Sequence, residues 1–162
     1  MSPFIRIILL TIFLICAGSL IYAVYLQLID HLLPCPLCVA QRLSYWVIGL
    51  TAMIAVAHNP RPRGRRLYSG VMMIVALAGG GVAARHSWLI RYPESFECGI
   101  SPEEKLLNSL PIARWWPTMF EANEGCSESS WELMSLTLPD WSAILFVLLA
   151  TLSGYTLLTR QR

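Results

Sequence analysis

Four long stretches of this chain carry no charge. Residues 7–29 form an uncharged run of 23, residues 67–84 a run of 18, and residues 141–159 a run of 19. Residues 43–57 are also uncharged, and 38–41 extend that run toward its start. A helix that crosses a bilayer needs about 20 mostly apolar residues, within a range of about 17–25. The first, third and fourth runs meet that length. The second meets it only if it begins near Cys38, with Arg42 inside its first turns. None of the runs alternates every second residue as a barrel strand does, and only helices and closed barrels satisfy their own backbone in lipid. The pattern therefore predicts an all-α membrane protein, a four-helix transmembrane bundle occupying residues 1–162 as a single domain. Its helices fall near 7–29, 39–57, 67–86 and 141–159. Loops near 30–38 and 91–140 lie on one side of the membrane, and one near 58–66 on the other. The first run is too long for a signal-peptide core of about 7–15 residues, so it is read as a span.

Composition supports this class. The chain is 56% hydrophobic and 14% charged, against about 25% charged in soluble domains. The charges also give a direction. "HNPRPRGRR" (58–66) holds Arg61, Arg63, Arg65 and Arg66; Arg6 precedes the first helix, and Arg160 and Arg162 follow the fourth. With alternating helices all seven fall on one side, which the excess of arginine in short loops marks as the cytoplasm. Both termini are then cytoplasmic. The long outer connection carries nine of the ten acidic residues. The net charge of +2 comes from the cytoplasmic arginines and gives no ground for a nucleic-acid partner. No repeat, low-complexity tract or separate soluble domain is visible.

The cysteines sort by side. Cys16 lies mid-span in the first helix, where a free cysteine packs as a small hydrophobe. Cys35 and Cys38 sit in "PCPLCVAQR" at the first outer loop, and Cys98 and Cys126 in the long one. Four of five thus face the compartment where disulfides persist. Zinc sites usually draw on two closely spaced ligand pairs. Cys98 and Cys126 are 28 positions apart (126 − 98), so no metal is expected. A c-type haem would need histidine after the second cysteine, and Val39 stands there. A plain structural disulfide suits Cys98 and Cys126. It suits Cys35 and Cys38 poorly, because so small a ring constrains little of the unfolded chain. That pair makes more sense as chemistry.

Local physics around Cys38 agrees. Pro36 suits the first turn of a helix, where its missing N–H costs nothing. Cys35 then stands near the N-cap and Cys38 inside the first turn, where free N–H groups and the helix dipole favour a thiolate. Arg42 follows at i+4 on the same face. It either adds a fixed positive charge beside the sulfur or extends to the interface as an anchor. A stabilised thiolate at the membrane surface needs an electron partner at that depth, and a lipid-soluble carrier is the natural one.

These residues carry a resemblance. "PCPLCVAQR", Cys98 and "ARWWPTMFEANEGCSESSWELMSLTLPDWSAILF" (113–146) resemble the DsbB family of bacterial inner-membrane disulfide-generating proteins, over essentially the whole chain. The W-x-P-x-x-F stretch before the last cysteine and the P-x-W entering the fourth helix are its more specific motifs. The DsbA–DsbB–quinone system is the known means of keeping the bacterial periplasm oxidising, and that role enters here by resemblance alone. The resemblance implies a thiol:quinone oxidoreductase in the inner membrane, with quinone (ubiquinone or menaquinone) as cofactor and a periplasmic DsbA-like thioredoxin-fold oxidase as partner. It implies that Cys35 and Cys38 reduce quinone, with Cys38 the thiolate that engages the ring. It implies that Cys98 and Cys126 oxidise the partner, with Cys98 forming the mixed disulfide and Cys126 exchanging with Cys35. Arg42 matches a quinone-side arginine, and His86 in "ARHSW" a histidine near the quinone. Read without the resemblance, His86 is an ordinary polar residue at a helix end. Gln41 departs from the pattern, since some members carry an acidic residue before the arginine. The alternatives are a paralogue dedicated to one special partner, and a non-enzymatic membrane scaffold stapled by its outer loop.

Two further features complete the reading. "RWWPTMF" (114–120) suits the headgroup level, as an aromatic belt or as an interfacial segment tethering the second cysteine pair near the first. Ala76, Gly80 and Ala84 place small residues at four-residue steps on the third helix, which permits close helix packing.

Overall fold

A computed structural model of the chain describes residues 2–29, 34–92, 109, 115–120, 132–133 and 135–159. Its main elements are α1 (Pro3–Ile29), α2 (Pro36–His58), α3 (Pro62–Arg91), the short α4 (Pro117–Phe120), β1 (Glu132–Leu133), β2 (Leu136–Thr137) and α5 (Leu138–Leu158). α1, α2, α3 and α5 are each long and apolar enough to cross a membrane. The four-span reading holds, with an antiparallel hairpin added before α5. Glu132 pairs with Thr137 and Leu133 with Leu136, and Ser135 takes the left-handed conformation in the turn (φ 63°).

Proline sets the helix starts. Pro3, Pro36, Pro62 and Pro117 are the first residues of their helices, and Pro139 is the second of α5. Each has a pre-set φ and lacks only an N–H that the first turn leaves unpaired anyway. α2 stops at Asn59, whose left-handed backbone (φ 45°, ψ 56°) turns its N–H back to the Ala55 carbonyl at 3.2 Å, and Pro60 bars continuation. α5 opens with a capping box: the Asp140 carboxylate accepts from the Thr137 N–H at 2.9 Å and from its hydroxyl at 2.7 Å. The expected end of the third helix is overturned. α3 runs to Arg91 rather than stopping near residue 86, because nothing between 86 and 91 breaks a helix. His86 is therefore inside α3.

The bundle is packed for lipid. On α1, Ile7, Leu14, Ile21 and Leu28 recur at every seventh position and face outward, while Ile5, Leu9, Ile12 and Cys16 face the neighbouring helices. Cys16 lies in the core, against Gly49 of α2. α2 packs on both α1 and α3, and α3 packs along α5. Polar contacts pin both ends of the α3–α5 pair. At one end Arg65 donates to the Thr159 carbonyl and Ser69 Oγ lies 2.8 Å from Thr156 Oγ1. At the other, Arg91 Nη2 reaches both Asp140 oxygens at 2.9 Å.

The small-residue stripe of α3 has a different phase from the expected one. The buried positions are Ala76, Gly79 and Ala83; Gly80 is half-buried and Ala84 faces outward. The reason is Phe146 of α5, whose ring occupies the space beside Gly79. A Cβ on Gly79 would stand 2.6 Å from two ring carbons. The ring cannot retreat, because its other face stacks on Tyr45 at 4.4 Å between centroids. Gly79→Ala is expected to destabilise the bundle by about 1–3 kcal/mol, the usual range for overpacking, and Phe146→Leu in the same chain should recover part of it. Thermal unfolding in detergent measures both; a Gly79→Ala protein as stable as the parent would show the interface to be loose.

Candidate functional site

The site grows from the first turn of α2. Cys35 is the N-cap, with extended backbone (φ −79°, ψ 166°), and its Sγ accepts from the Cys38 N–H at 3.3 Å. Sulfur here does what a serine or aspartate oxygen does in ordinary caps. The same turn brings Cys35 Sγ to 3.1 Å from Cys38 Sγ, as free thiols. That is about 1 Å beyond bonding distance. The N-cap and first-turn positions read from the sequence are those the helix adopts. Cys35 is buried with Leu37 and Leu89, and Cys38 packs against the same cluster. Cys38 is half-buried and is the one of the two that borders a cavity of about 360 Å³.

α3 supplies the third group. His86 is buried, with Nε2 3.6 Å from Cys35 Sγ and Nδ1 4.0 Å from Cys38 Sγ. Gln41, one turn after Cys38, sets its side-chain amide nitrogen 3.3 Å from His86 Nδ1. Gln41 appears in the sequence only as a departure from a pattern. Its spacing of three from Cys38 was the available signal, since residues three apart share a helix face.

Arg42 borders the same cavity but is held from the far side. Nη1 donates to Gln27 Oε1 at 2.9 Å and to the Met119 carbonyl at 3.4 Å, and Nη2 to the Ala23 carbonyl at 3.5 Å. The residue is 7% exposed, and its guanidinium donates to groups of α1 and α4, tying α2 to both. α4 itself has two sides. Met119 and Phe120 are buried, while Trp115 and Trp116 just before it are exposed, with Trp116 6.1 Å from Trp46. An apolar side in the bundle and tryptophans outside suit an interfacial segment.

The cavity walls are mostly apolar, from Leu20, Ala23, Leu26, Pro139 and Leu145, with Cys38, Gln41, Arg42, Tyr45 and His86 as the polar points. The Tyr45 hydroxyl lies 3.0 Å from Ser142 Oγ across the α2–α5 seam. The volume is at the small end of ligand pockets, which run from about 300 Å³ upward, and suits a single ring. Cys35, Cys38 and His86 also place one ligand atom each within 4.8 Å of one another, the only such trio among the described residues. To share a zinc ion tetrahedrally the two sulfurs would have to part from 3.1 Å to about 3.8 Å. Of the residues singled out in the sequence, Cys35, Cys38, Arg42 and His86 thus come together. Cys98 and Cys126 lie outside the described residues.

A dithiol at a helix N-terminus, beside a mostly apolar cavity, is the arrangement that the comparisons with known proteins bear on. Residues 5–156 match the family model described as "Disulfide bond formation protein DsbB". The chain belongs to the DsbB family. A relative from Nitrosospira multiformis named "Disulfide bond formation protein B" is 61% identical over 157 residues, covering 97% of this chain and 94% of its own. Relatives of the same name from Nitrosomonas europaea and Aromatoleum aromaticum are 56% and 42% identical, covering 97% and 90% of this chain and 94% and 87% of theirs. The DsbB family consists of membrane proteins of disulfide formation, and four spanning helices and a free Cys-x-x-Cys pair agree with membership.

Proposed function

We propose that this DsbB-family protein is a quinone-dependent oxidase of the bacterial inner membrane, which reoxidises a periplasmic DsbA-like thioredoxin-fold protein. Cys35 and Cys38 are its membrane-side pair, and Cys98 and Cys126 its partner-side pair. Both termini face the cytoplasm, as the seven arginines on that side favour. The observation that carries the reading is the position of Cys38: the residue borders a mostly apolar cavity of about 360 Å³ that its neighbour Cys35 does not line. A disulfide that only stapled a loop would need no such cavity.

The cavity fits a quinone headgroup in size and in its polar points, with Arg42 as a donor and His86 as a further polar group in its lining beside Cys38. When bound, quinone supplies a two-electron, two-proton acceptor. The chain's own residues do the rest by thiol–disulfide exchange, in which a thiolate attacks one sulfur of a disulfide and the other sulfur leaves as thiolate. The partner's thiolate attacks Cys98 and releases Cys126. Cys126 attacks Cys35 and releases Cys38 as a thiolate beside the cavity. The partner's second thiolate then displaces Cys98, and Cys98 attacks Cys126 and releases Cys35, which leaves the partner oxidised and Cys35 and Cys38 both reduced. The Cys38 thiolate is favoured by the first-turn N–H groups of α2 and by the positive end of that helix. Arg42 offers a fixed positive charge where negative charge develops.

One experiment tests function and orientation together. In sealed right-side-out vesicles, a reduced thioredoxin-fold dithiol protein added outside should drive quinone reduction that depends on this protein. Reduction seen only after the vesicles are opened would reverse the orientation. No reduction in either case, with purified protein and either quinone, would leave a membrane scaffold as the better account.

A further inference from the structure

We propose that Gln41 is a positioning residue: its side-chain amide holds His86 as the Nε2–H tautomer, aimed at Cys35 Sγ, so that Cys35 is kept ready to leave and to react as a thiolate. This rests on the reading of Cys35 and Cys38 as an exchanging pair, and it concerns the cysteine that does not line the cavity.

A neutral imidazole has one N–H and one bare nitrogen, and the hydrogen bond at one nitrogen fixes the state of the other. The amide nitrogen of Gln41 stands 3.3 Å from His86 Nδ1. With the amide N–H donating, Nδ1 accepts and the ring proton resides on Nε2; Cys38 Sγ, 4.0 Å from Nδ1, is the longer of the two contacts. Nε2 is the atom 3.6 Å from Cys35 Sγ. The same sulfur also accepts the Cys38 N–H at 3.3 Å. Two donors from two different helices thus meet one buried sulfur, and both favour its anionic form. When an incoming thiolate attacks a sulfur bonded to Cys35, one S–S bond forms and one breaks. The electron pair of the broken bond then stays on Cys35 Sγ, where the imidazole N–H already points, and no net electron is gained or lost. A glutamate at position 41 would do the opposite. Its carboxylate accepts from Nδ1–H, and the bare Nε2 lone pair would then face the sulfur. In this chain glutamine therefore sets the polarity of the whole contact.

The test needs neither quinone nor partner. Reduced, quinone-free protein labelled with nitrogen-15 in histidine is studied by long-range proton–nitrogen NMR, with His86→Ala identifying the His86 signals among the three histidines. The parent should show His86 as the Nε2–H tautomer. Gln41→Glu should convert it to Nδ1–H, and Gln41→Met should give a mixture. In the background Cys38→Ser, Cys98→Ser, Cys126→Ser, iodoacetamide should alkylate Cys35 about tenfold more slowly once Gln41→Glu or His86→Ala is added, the loss expected for one hydrogen bond to a charged sulfur. An Nδ1–H parent, a tautomer indifferent to Gln41→Glu, or equal alkylation rates across the variants would each overturn the proposal. If the NMR and alkylation results hold but vesicles show no quinone reduction, the fault lies with the proposed function instead.

Discussion

Cys38→Ser should abolish quinone reduction while leaving the protein able to take up a disulfide-linked partner at Cys98, and Cys98→Ser should do the reverse. The first half follows from geometry. Cys38 is the cysteine of its pair that borders the cavity, and Cys35, 3.1 Å from it, is not among the lining residues. A hydroxyl in place of the Cys38 thiol cannot form or break a disulfide, so the loss should be complete rather than partial. The second half rests on the roles that family resemblance gives to the outer pair. Trapped partner is read on a non-reducing gel, and quinone reduction by its absorbance change. If both variants lose the same half-reaction, the two-pair relay is wrong.

Arg42→Ala should raise the apparent KM for quinone by about tenfold to a hundredfold, the range for a lost hydrogen bond to a developing charge. Among the described residues, Gln27 Oε1, the Ala23 carbonyl and the Met119 carbonyl accept from the guanidinium and help to hold it in place. These come from α1 and α4, so the cation is fixed at the cavity rim before any ligand arrives. Arg42→Lys keeps a charge but has no planar fork to reach several acceptors at once. It should be intermediate. Capture of the partner at Cys98 should stay near normal in both variants, because that exchange occurs elsewhere in the chain. An Arg42→Ala protein with unchanged KM for quinone would mean that the residue only fastens α1 and α4 to α2. A fall in thermal stability is expected in either case, since Gln27 and two carbonyls lose a buried donor, so the KM is the deciding measurement.

What the sequence determined by itself is whatever depends on near neighbours in the chain. Uncharged runs of spanning length mark the four helices, because length and transfer from water are properties of the segment alone. Pro36 marks the start of α2, and with it the N-cap position of Cys35 and the first-turn position of Cys38, because a proline's fixed φ and missing N–H act within one turn. The redox role proposed for that pair starts from the same local features. The reach of α3 past residue 86 was equally local, but the expected boundary followed the end of the uncharged run, and a helix can continue beyond the point where its apolar run stops.

Only the tertiary structure decided which faces meet. His86 lies 51 positions from Cys35 and 45 from Gln41 along the chain, yet within 3.6 Å and 3.3 Å of them in space. No spacing rule carries that distance, since it depends on how far α3 slides along α2 and how each helix is rotated about its axis. In a span that is apolar all round, hydrophobicity cannot fix that rotation. Shape does: Phe146 wedged between Gly79 and Tyr45 sets the phase of α3 against α5. The direction of Arg42 was open for a related reason. A flexible cation can extend to water or turn inward, and here it turns inward because Gln27 and the carbonyls of Ala23 and Met119, from α1 and α4, lie where the folded bundle can offer them as acceptors.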